Sequence, residues 1–298
     1  MKPLKIIIVA IIALIVIAFF IRLSNDNNTE PIEELESPTI ADSVNQSEIE
    51  KDKIDYPKNN IADFEYSDSL QFEIPRIIDT RAEQILSREG YTCSYNQDTR
   101  NANWVAWHLT KEHTDGPWSR KGLPYIEDSD VIGAKQELSD WYNHNLNIDH
   151  GHLCPAGDNK WDKEAMIESF LLTNMCPQNS NLNQGIWETL ESRCRGWARH
   201  YGVVYITAGP IFYSKNYKTI GANKIGIPDA FYKVVLCLTK KPKALGFIFP
   251  NVEPEYDNIK DYMYSVDEVE NITKIDFFHN MEDSIENIIE ASSNLNNW

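Results

Sequence analysis

Two stretches of this chain decide its fold: residues 149–158 read DHGHLCPAGD, and residues 173–191 read TNMCPQNSNLNQGIWETLE. In the first stretch His150 and His152 stand two positions apart, so on a strand their side chains would share one face. That face could hold a metal ion. The HxH spacing alone is weak evidence, because a single histidine in a globular domain is more often structural.

The second stretch predicts a loop followed by a helix. Asn183 directly precedes the helical pattern, where asparagine is a favoured N-cap, so capping is the structural alternative to a functional role. Four side chains recur every four residues and would follow one side of this helix: Asn183, Trp187, Glu191 and Arg195. An ordinary i,i+4 ion pair is the alternative for Glu191 and Arg195, and Trp187 is interpreted as packing.

The remaining sequence indicates an α+β fold around a central antiparallel sheet. Runs of aromatic and β-branched residues predict five strands: residues 91–95, 104–109, 203–207, 231–238 and 244–249. Apolar periodicity predicts four helices: residues 163–172, 184–200, 265–272 and 283–291.

The formal net charge of −17 is concentrated at the two ends of the chain. Residues 24–70 carry 13 acidic and 3 basic side chains, residues 251–298 carry 12 and 2, and residues 71–250 are neutral overall. The acidity therefore does not exclude a polyanionic partner, although no basic patch indicates one.

The N-terminus contains an unbroken apolar run, IIIVAIIALIVIAFFI, at residues 6–21. We expect residues 1–23 to form a transmembrane helix that anchors the chain, with a cleaved signal peptide as the alternative. The positive charge before this run predicts that the folded domain is extracytoplasmic, either periplasmic or at the cell surface, and secreted if the segment is cleaved. Residues 24–70 are expected to form an acidic disordered linker, and residues 71–298 the folded domain.

The chain has five cysteines and no CxxC pair, so its cysteines do not indicate a zinc site. Small buried thiols are the preferred interpretation. A disulfide between Cys154 and Cys176 is the alternative.

Together, the two stretches resemble the DNA/RNA non-specific endonucleases, a family that includes endonuclease G and belongs to the ββα-metal (His-Me finger) nucleases. The family pattern Asp-Arg-Gly-His, followed by a hydrophobic residue, a small residue, Pro and a nearby Asp, corresponds to DHGHLCPAGD. The pattern Thr/Ser-Asn-x-x-Pro-Gln, followed by Asn-Gln-x-x-Trp-x-x-Leu-Glu, corresponds to residues 173–191. Weaker matches extend over residues 78–289. The resemblance implies that residues 71–298 form a metal-dependent, sequence-nonspecific endonuclease that hydrolyses phosphodiester bonds of DNA and/or RNA.

The resemblance also implies a role for each matching side chain. His152 takes the position of the general base. Asn183 takes the position of the Mg²⁺ ligand, with Mn²⁺ as a substitute for Mg²⁺. Glu191 matches a carboxylate that holds metal-bound water, and Arg195 matches a cation that steadies the phosphate or the transition state.

Three further positions complete the match. Asn174 corresponds to a supporting active-site asparagine, and Asp149 to a residue with a structural or orienting role. His150 departs from the family pattern, because it replaces an arginine that helps to hold the phosphate. A protonated His150 is expected to bind substrate in its place, with Arg120 or Lys121 as alternative sources of positive charge.

The chemistry of these side chains agrees with the implied reaction. A neutral imidazole can take a proton from water near neutral pH, and an amide oxygen can hold Mg²⁺ together with waters and a phosphate. The expected partners are a DNA and/or RNA substrate, the membrane through residues 6–21, and a second copy of the chain. An inhibitor protein is not visible in the sequence.

Two other functions remain open. One is a nucleic-acid-binding protein with a nuclease fold whose catalysis is weakened by His150. The other is a zinc hydrolase that uses His150 and His152 together with Asp149 or Asp158.

Overall fold

The computed structural model describes residues 70–142, 146–239 and 241–298. The predicted transmembrane helix at residues 1–23, and all but the last residue of the predicted linker at 24–70, lie outside the described residues.

The described part of the chain contains strands of two to ten residues. They are β1 (Arg76–Ile77), β2 (Gln84–Ser87), β3 (Thr92–Asn96), β4 (Asn101–Thr110), β5 (Ile148–His152), β6 (Met175–Asn179), β7 (Val203–Ile211), β8 (Thr219–Ile220), β9 (Ile225–Gly226), β10 (Ala230–Cys237), β11 (Lys243–Pro250), β12 (Met263–Tyr264) and β13 (Ile275–Asp276).

Seven of these strands form one antiparallel sheet in the order β12-β11-β10-β7-β4-β3-β2. The pairs β1-β13, β5-β6 and β8-β9 form separate two-stranded sheets. The central antiparallel sheet expected from the sequence is therefore confirmed, and all five predicted strands belong to it.

The longer helices are α1 (Lys163–Glu168), α2 (Glu188–Tyr201), α3 (Val266–Thr273) and α4 (Asp283–Glu290). Helix α1 begins at its N-cap Asp162, which accepts hydrogen bonds from two backbone N–H groups. It ends earlier than predicted, because residues 169–174 turn away from the helix to begin β6. A short turn, Ser180–Leu182, and a π-helical segment, Asn183–Trp187, lead into α2.

Both faces of the large sheet are buried, because successive side chains of a strand point to opposite faces. Along β4, Val105 and Trp107 pack in the core that includes α2. Trp104 and Ala106 pack in the second core, formed with α3 and α4. The sheet is thus the middle layer between α2 on one face and α3 and α4 on the other.

All five cysteines are buried free thiols. The alternative of a disulfide between Cys154 and Cys176 is wrong, and both side chains are apolar packing in the core on the α2 side.

Candidate active site

The two motif stretches meet as a ββα arrangement of β5, β6 and α2. The strands pair antiparallel, with His152 opposite Met175 and Gly151 opposite Cys176. A side chain at Gly151 would not fit, because its Cβ would lie 2.3 Å from Oε1 and 2.5 Å from Cβ of Gln178. Glycine at this position therefore permits the close approach of the strand that carries both histidines.

Strand β5 and the segment leading through α2 line a cleft of about 570 Å³. The cleft brings together all but one of the residues that the sequence analysis selected: Asp149, His150, His152, Asn183, Glu191 and Arg195. Asn174 is not among the lining residues. The other lining residues include Arg120, Tyr125, Gln184 and Glu188.

His152 is held as a neutral imidazole at the end of β5. Its side chain is 9% exposed, and its ring lies edge-on to Phe170 at 5.1 Å between centroids. Burial, followed by the positive field of Arg120, lowers the pKa of His152 to about 3. The ring hydrogen-bonds to the backbone of His150, and Nε2 has no partner among the described residues. The structure therefore leaves Nε2 as an acceptor.

Asn183 is not the helix N-cap. Asn179 caps the turn instead, because its side-chain oxygen accepts hydrogen bonds from the N–H groups of Asn181 and Leu182. Nδ2 of Asn183 donates to Asp149 Oδ2 at 2.9 Å. Because an ionised carboxylate only accepts, this contact directs the amide nitrogen toward Asp149 and leaves the carbonyl oxygen for another ligand.

Asp149 orients the residues around it. Its carboxylate accepts hydrogen bonds from Ser180 at 2.7 Å, Gln184 at 2.8 Å and Asn183 at 2.9 Å. Burial alone would raise the pKa of Asp149, but the hydrogen bonds from Asn183, Gln184 and Ser180 outweigh it and hold the pKa below its usual value. This ionised group therefore fixes the orientation of the amide at Asn183.

The π-helical segment Asn183–Trp187 lies between the capped turn and α2. Such segments often occur at functional sites because the extra residue reorients side chains. Trp187 is fully buried and packs against Phe231 and Phe249 at 5.8 Å and 5.7 Å between ring centroids. Its interpretation as packing is confirmed, and it anchors one end of the segment.

Arg195 forms its ion pair with Asp158 rather than with Glu191, so the alternative of an i,i+4 pair is wrong. Its Nη1 lies 2.9 Å from Asp158 Oδ1, and its Nη2 donates to Ser192 Oγ at 2.9 Å. Asp158 is buried and also accepts from Trp107 Nε1 at 3.1 Å. The guanidinium is consequently held in place at the wall of the cleft.

Glu191 is half-buried near this ion pair. Burial raises the pKa of Glu191 to about 7, with the ammonium of Lys233 opposing the shift and Asp158 adding to it. Lys233 is 1% exposed on β10, and its Nζ lies 4.2 Å from the ring centroid of Trp187. The sequence analysis missed Lys233; the available signal was a single charged residue within an apolar strand, AFYKVVLC.

Asn174 lies behind the cleft and makes three hydrogen bonds to the backbone. Its Nδ2 donates to the carbonyl oxygens of Cys154 and Ser169 at 2.8 Å and 2.9 Å, and its Oδ1 accepts from the N–H of Cys154 at 2.9 Å. These contacts hold the chain two residues after His152. Asn174 is fully buried and contacts the backbone near His152 rather than the space of the cleft.

His150 is stacked between two aromatic rings. Its centroid lies 4.0 Å from that of Tyr125 and 4.0 Å from that of Trp141, with interplanar angles of 8° and 16°. Arg120 is exposed at the cleft and lies over Phe170, with Cζ 5.6 Å from the ring centroid. In the described part of the chain its guanidinium has no ion pair, which leaves it available to an anion.

The donor atoms at the cleft suit a hard, hydrated cation. They are the amide oxygen of Asn183 and the carboxylate of Glu191, and hydrated Mg²⁺ prefers oxygen ligands of this kind. The zinc alternative has no support in the described residues. The three metal-ligating side chains that converge there lie in α3 and α4, away from His150 and His152. Asp149 and Asp158 are already engaged with hydrogen-bond donors.

Similar proteins are known nucleases. Mitochondrial nuclease EXOG of Mus musculus is 31% identical over 209 residues, which cover 65% of this chain and 56% of that protein. Mitochondrial endonuclease G of Homo sapiens is 33% identical over 162 residues, or 51% of this chain and 54% of that protein. The chain thus spans a little over half the length of these relatives.

A solved structure shows the same fold. The crystal structure of the EndoG/EndoGI complex, which concerns the mechanism of EndoG inhibition, matches with a TM-score of 0.62 and 26% identity. The match covers 67% of this chain and 87% of the other.

The sequence predicted a chain anchored in a membrane, with an extracytoplasmic or secreted domain. These comparisons correct that prediction. The relatives named above are mitochondrial nucleases. Within the described residues, no helix has the length and apolar character needed to span a membrane. Residues 6–21, from which the location was predicted, lie outside the described residues.

The family model described as DNA/RNA non-specific endonuclease matches residues 71–284. This region contains both motif stretches, the large sheet and the cleft. The chain therefore belongs to the DNA/RNA non-specific endonuclease family.

Proposed function

We propose that this chain is a metal-dependent, sequence-nonspecific endonuclease that hydrolyses phosphodiester bonds of DNA and/or RNA. In this proposal residues 71–298 form the catalytic domain, His152 is the general base, and Asn183 holds Mg²⁺, for which Mn²⁺ can substitute. The nuclease activity of the relatives supports the reaction class.

The observation that carries the proposal is the meeting of His152 and Asn183 in one cleft. Nε2 of His152 is an unpartnered acceptor, and Asp149 directs the amide nitrogen of Asn183 away from any cation. The cleft is thus lined both by a proton acceptor and by a residue with a free amide oxygen, the two groups that hydrolysis of a bound phosphate requires.

Each of these cleft residues has a separate role in the proposed hydrolysis. His152 accepts a proton at Nε2 from the water that attacks phosphorus. The bond from phosphorus to the leaving oxygen breaks, and that oxygen keeps the electron pair and takes a proton from water. Arg195, held by Asp158, stabilises the negative charge that develops on the phosphate. Glu191 accepts hydrogen bonds from water in the cleft, and Asn174 maintains the backbone that positions His152.

The residues at Asn183 fit Mg²⁺ because an oriented amide oxygen and nearby carboxylates suit a cation that retains most of its waters. When bound, Mg²⁺ supplies positive charge that stabilises the phosphate and the leaving oxygen. Since a single protein amide oxygen is the proposed ligand, we expect weak binding of Mg²⁺ without substrate.

His150 is compatible with activity even though it replaces the family arginine. Its stacked ring lines the cleft and can contact a phosphate, and Arg120 lines the same cleft. Arg120 thus supplies a permanent positive charge where histidine supplies one only when protonated. Dimerisation and binding of an inhibitor protein remain predictions from the family resemblance.

Digestion of plasmid DNA and of RNA by the full chain tests the proposal. We expect cleavage in Mg²⁺ that EDTA abolishes and that added Mg²⁺ or Mn²⁺ restores. His152→Ala should lower the rate by about 100-fold to 10,000-fold, since that is the usual contribution of a general base. Asn183→Ala should raise the Mg²⁺ concentration needed for half-maximal rate.

The control is His200→Ala, because His200 is an exposed histidine on α2 that does not line the cleft. Its rate should equal that of the unaltered chain. If the unaltered chain binds nucleic acid but does not cleave it in Mg²⁺, the protein is a binding module and the proposal is wrong. Cleavage that persists in His152→Ala would remove His152 as the base.

A further inference from the structure

The two C-terminal helices carry acidic side chains that converge on one point. Asp267 and Glu270 lie on α3, and Glu290 is the last residue of α4. Each offers an oxygen that lies within 4.8 Å of the oxygens offered by the other two. None of the three forms an ion pair in the part of the chain that the structure describes.

Glu290 is almost completely buried. Its side chain is 5% exposed, and its Oε1 is shielded from solvent and has no hydrogen-bond partner among the described residues. A buried carboxylate oxygen with nothing to accept from is costly, and such groups are normally paired or bound to a metal.

The geometry around Glu290 suits a large hard cation. Ca²⁺ binds oxygens at about 2.3–2.6 Å, so two of its ligands lie within about 5 Å of each other. Glu270 is fixed because its Oε1 accepts from the N–H of Phe277 at 2.7 Å. Asp267 is exposed, which allows waters to complete the coordination of an ion. Glu290 also ends α4, where the negative end of the helix dipole favours a cation.

We infer that Asp267, Glu270 and Glu290 form a binding site for Ca²⁺, separate from the catalytic cleft. The ion would join α3 to α4 on the sheet face opposite α2, where both helices pack in the second core. Ca²⁺ is preferred over Mg²⁺ because three carboxylates plus water form a flexible site of high coordination number, whereas Mg²⁺ requires a strict octahedron. With three protein ligands, one of them exposed, the affinity should lie near 10⁻⁴ to 10⁻³ M, roughly that of weak extracellular sites.

Thermal unfolding at increasing CaCl₂ tests the site. In about 150 mM NaCl, which screens non-specific attraction to the acidic chain, about 10 mM CaCl₂ should raise the Tm by about 3–6 °C. Glu290→Gln should lose most of this rise, and Asp267→Asn should lose part of it. Glu253→Gln makes the same substitution at an exposed position and should keep the full rise. Each measurement is repeated in chains that also carry Asn183→Ala, so that cation binding at the cleft does not contribute to the rise in Tm.

Each outcome decides the inference. An unaltered chain whose Tm does not respond to CaCl₂ would overturn it, and so would an equal rise in Glu290→Gln and in Glu253→Gln. If Glu290→Gln fails to fold, Asp267→Asn decides alone, and an undiminished rise in that variant rejects the site. Failure here leaves the proposed nuclease activity untouched, since cleavage is measured separately at the cleft.

Discussion

At the scale of single residues, His152 and Glu191 line the same cleft, but their pKa values are shifted in opposite directions. Burial disfavours the charged form of each, which lowers the pKa of His152 to about 3 and raises that of Glu191 to about 7. His152 is therefore neutral throughout the pH range of the proposed reaction. Glu191, by contrast, changes charge near neutral pH.

The first prediction concerns the pH dependence of cleavage. Because the pKa of Glu191 is raised, its carboxyl keeps the proton below about pH 7 and is ionised above it. The rate kcat/KM should therefore rise between about pH 6 and pH 8. Glu191→Gln should remove this rise and lower the rate at high pH by about tenfold to a hundredfold. A rise near pH 7 that persists in Glu191→Gln would instead assign the titration to another group.

The second prediction concerns Arg120, which has no ion pair in the described part of the chain and lines the cleft. Arg120→Ala should lower kcat/KM by about tenfold to a hundredfold, the usual value of one charge-assisted hydrogen bond. Arg120→Lys should restore part of the loss. The matched control is Lys121→Ala, an exposed neighbour outside the cleft, whose effect should be smaller than about twofold. Equal losses in both alanine variants would show a general charge effect.

At the scale of elements, the pairing of β5 with β6 decides where the histidines point. The strands can approach because Gly151 has no side chain and Gln178 fills the space beside it. At the other end of the site, Asn179 caps the turn and the π-helical segment follows at once. Asn183 is thereby placed on the side of the helix that faces β5.

The third prediction tests this pairing with Gly151→Ala. The added Cβ collides with Gln178, so the free energy of unfolding should fall by about 1–3 kcal/mol. Cleavage per folded molecule should fall too, because His152 is the next residue. Gly196→Ala is the control: it lies in α2 with nothing within 4 Å of its Cβ position, and should raise stability by about 0.4–1 kcal/mol. Urea unfolding measures both variants, and equal stability of the two would contradict the argument.

At the scale of the whole molecule, one sheet separates two hydrophobic cores. The α2 side carries Lys233, Trp187 and the wall of the cleft, while α3 and α4 cover the other face. A change in the second core should therefore alter stability without altering the chemistry.

The fourth prediction follows from this division. Ile289 is 1% exposed in the second core, so Ile289→Ala should reduce the free energy of unfolding by about 2–5 kcal/mol. Cleavage per folded molecule should stay unchanged, as measured well below the Tm of the variant. Ile272→Ala, at a side chain that is 40% exposed, should cost much less. A loss of cleavage in fully folded Ile289→Ala would show that the second core also shapes the cleft.

The sequence by itself determined the family, the antiparallel sheet and most members of the cleft. The apolar runs were long enough to mark the central strands, and local patterns around His152 and Asn183 were specific. Sequence reasoning failed where a partner lies far away along the chain. Arg195 pairs with Asp158 on another segment rather than with Glu191 on its own helix, and Lys233 comes from β10.

Only the tertiary structure decided how these side chains are used. The sequence left N-capping open as a role for Asn183, but the structure shows that Asn179 is the N-cap. A short turn precedes the helix, and residue spacing alone could not reveal that turn. His150 lies between Tyr125, which comes from a loop, and Trp141, which ends the 3₁₀-helix Leu138–Trp141. The physical reason is common to all these cases: periodicity reports which face of an element is apolar, whereas pKa, orientation and ion pairing depend on groups that only folding brings together.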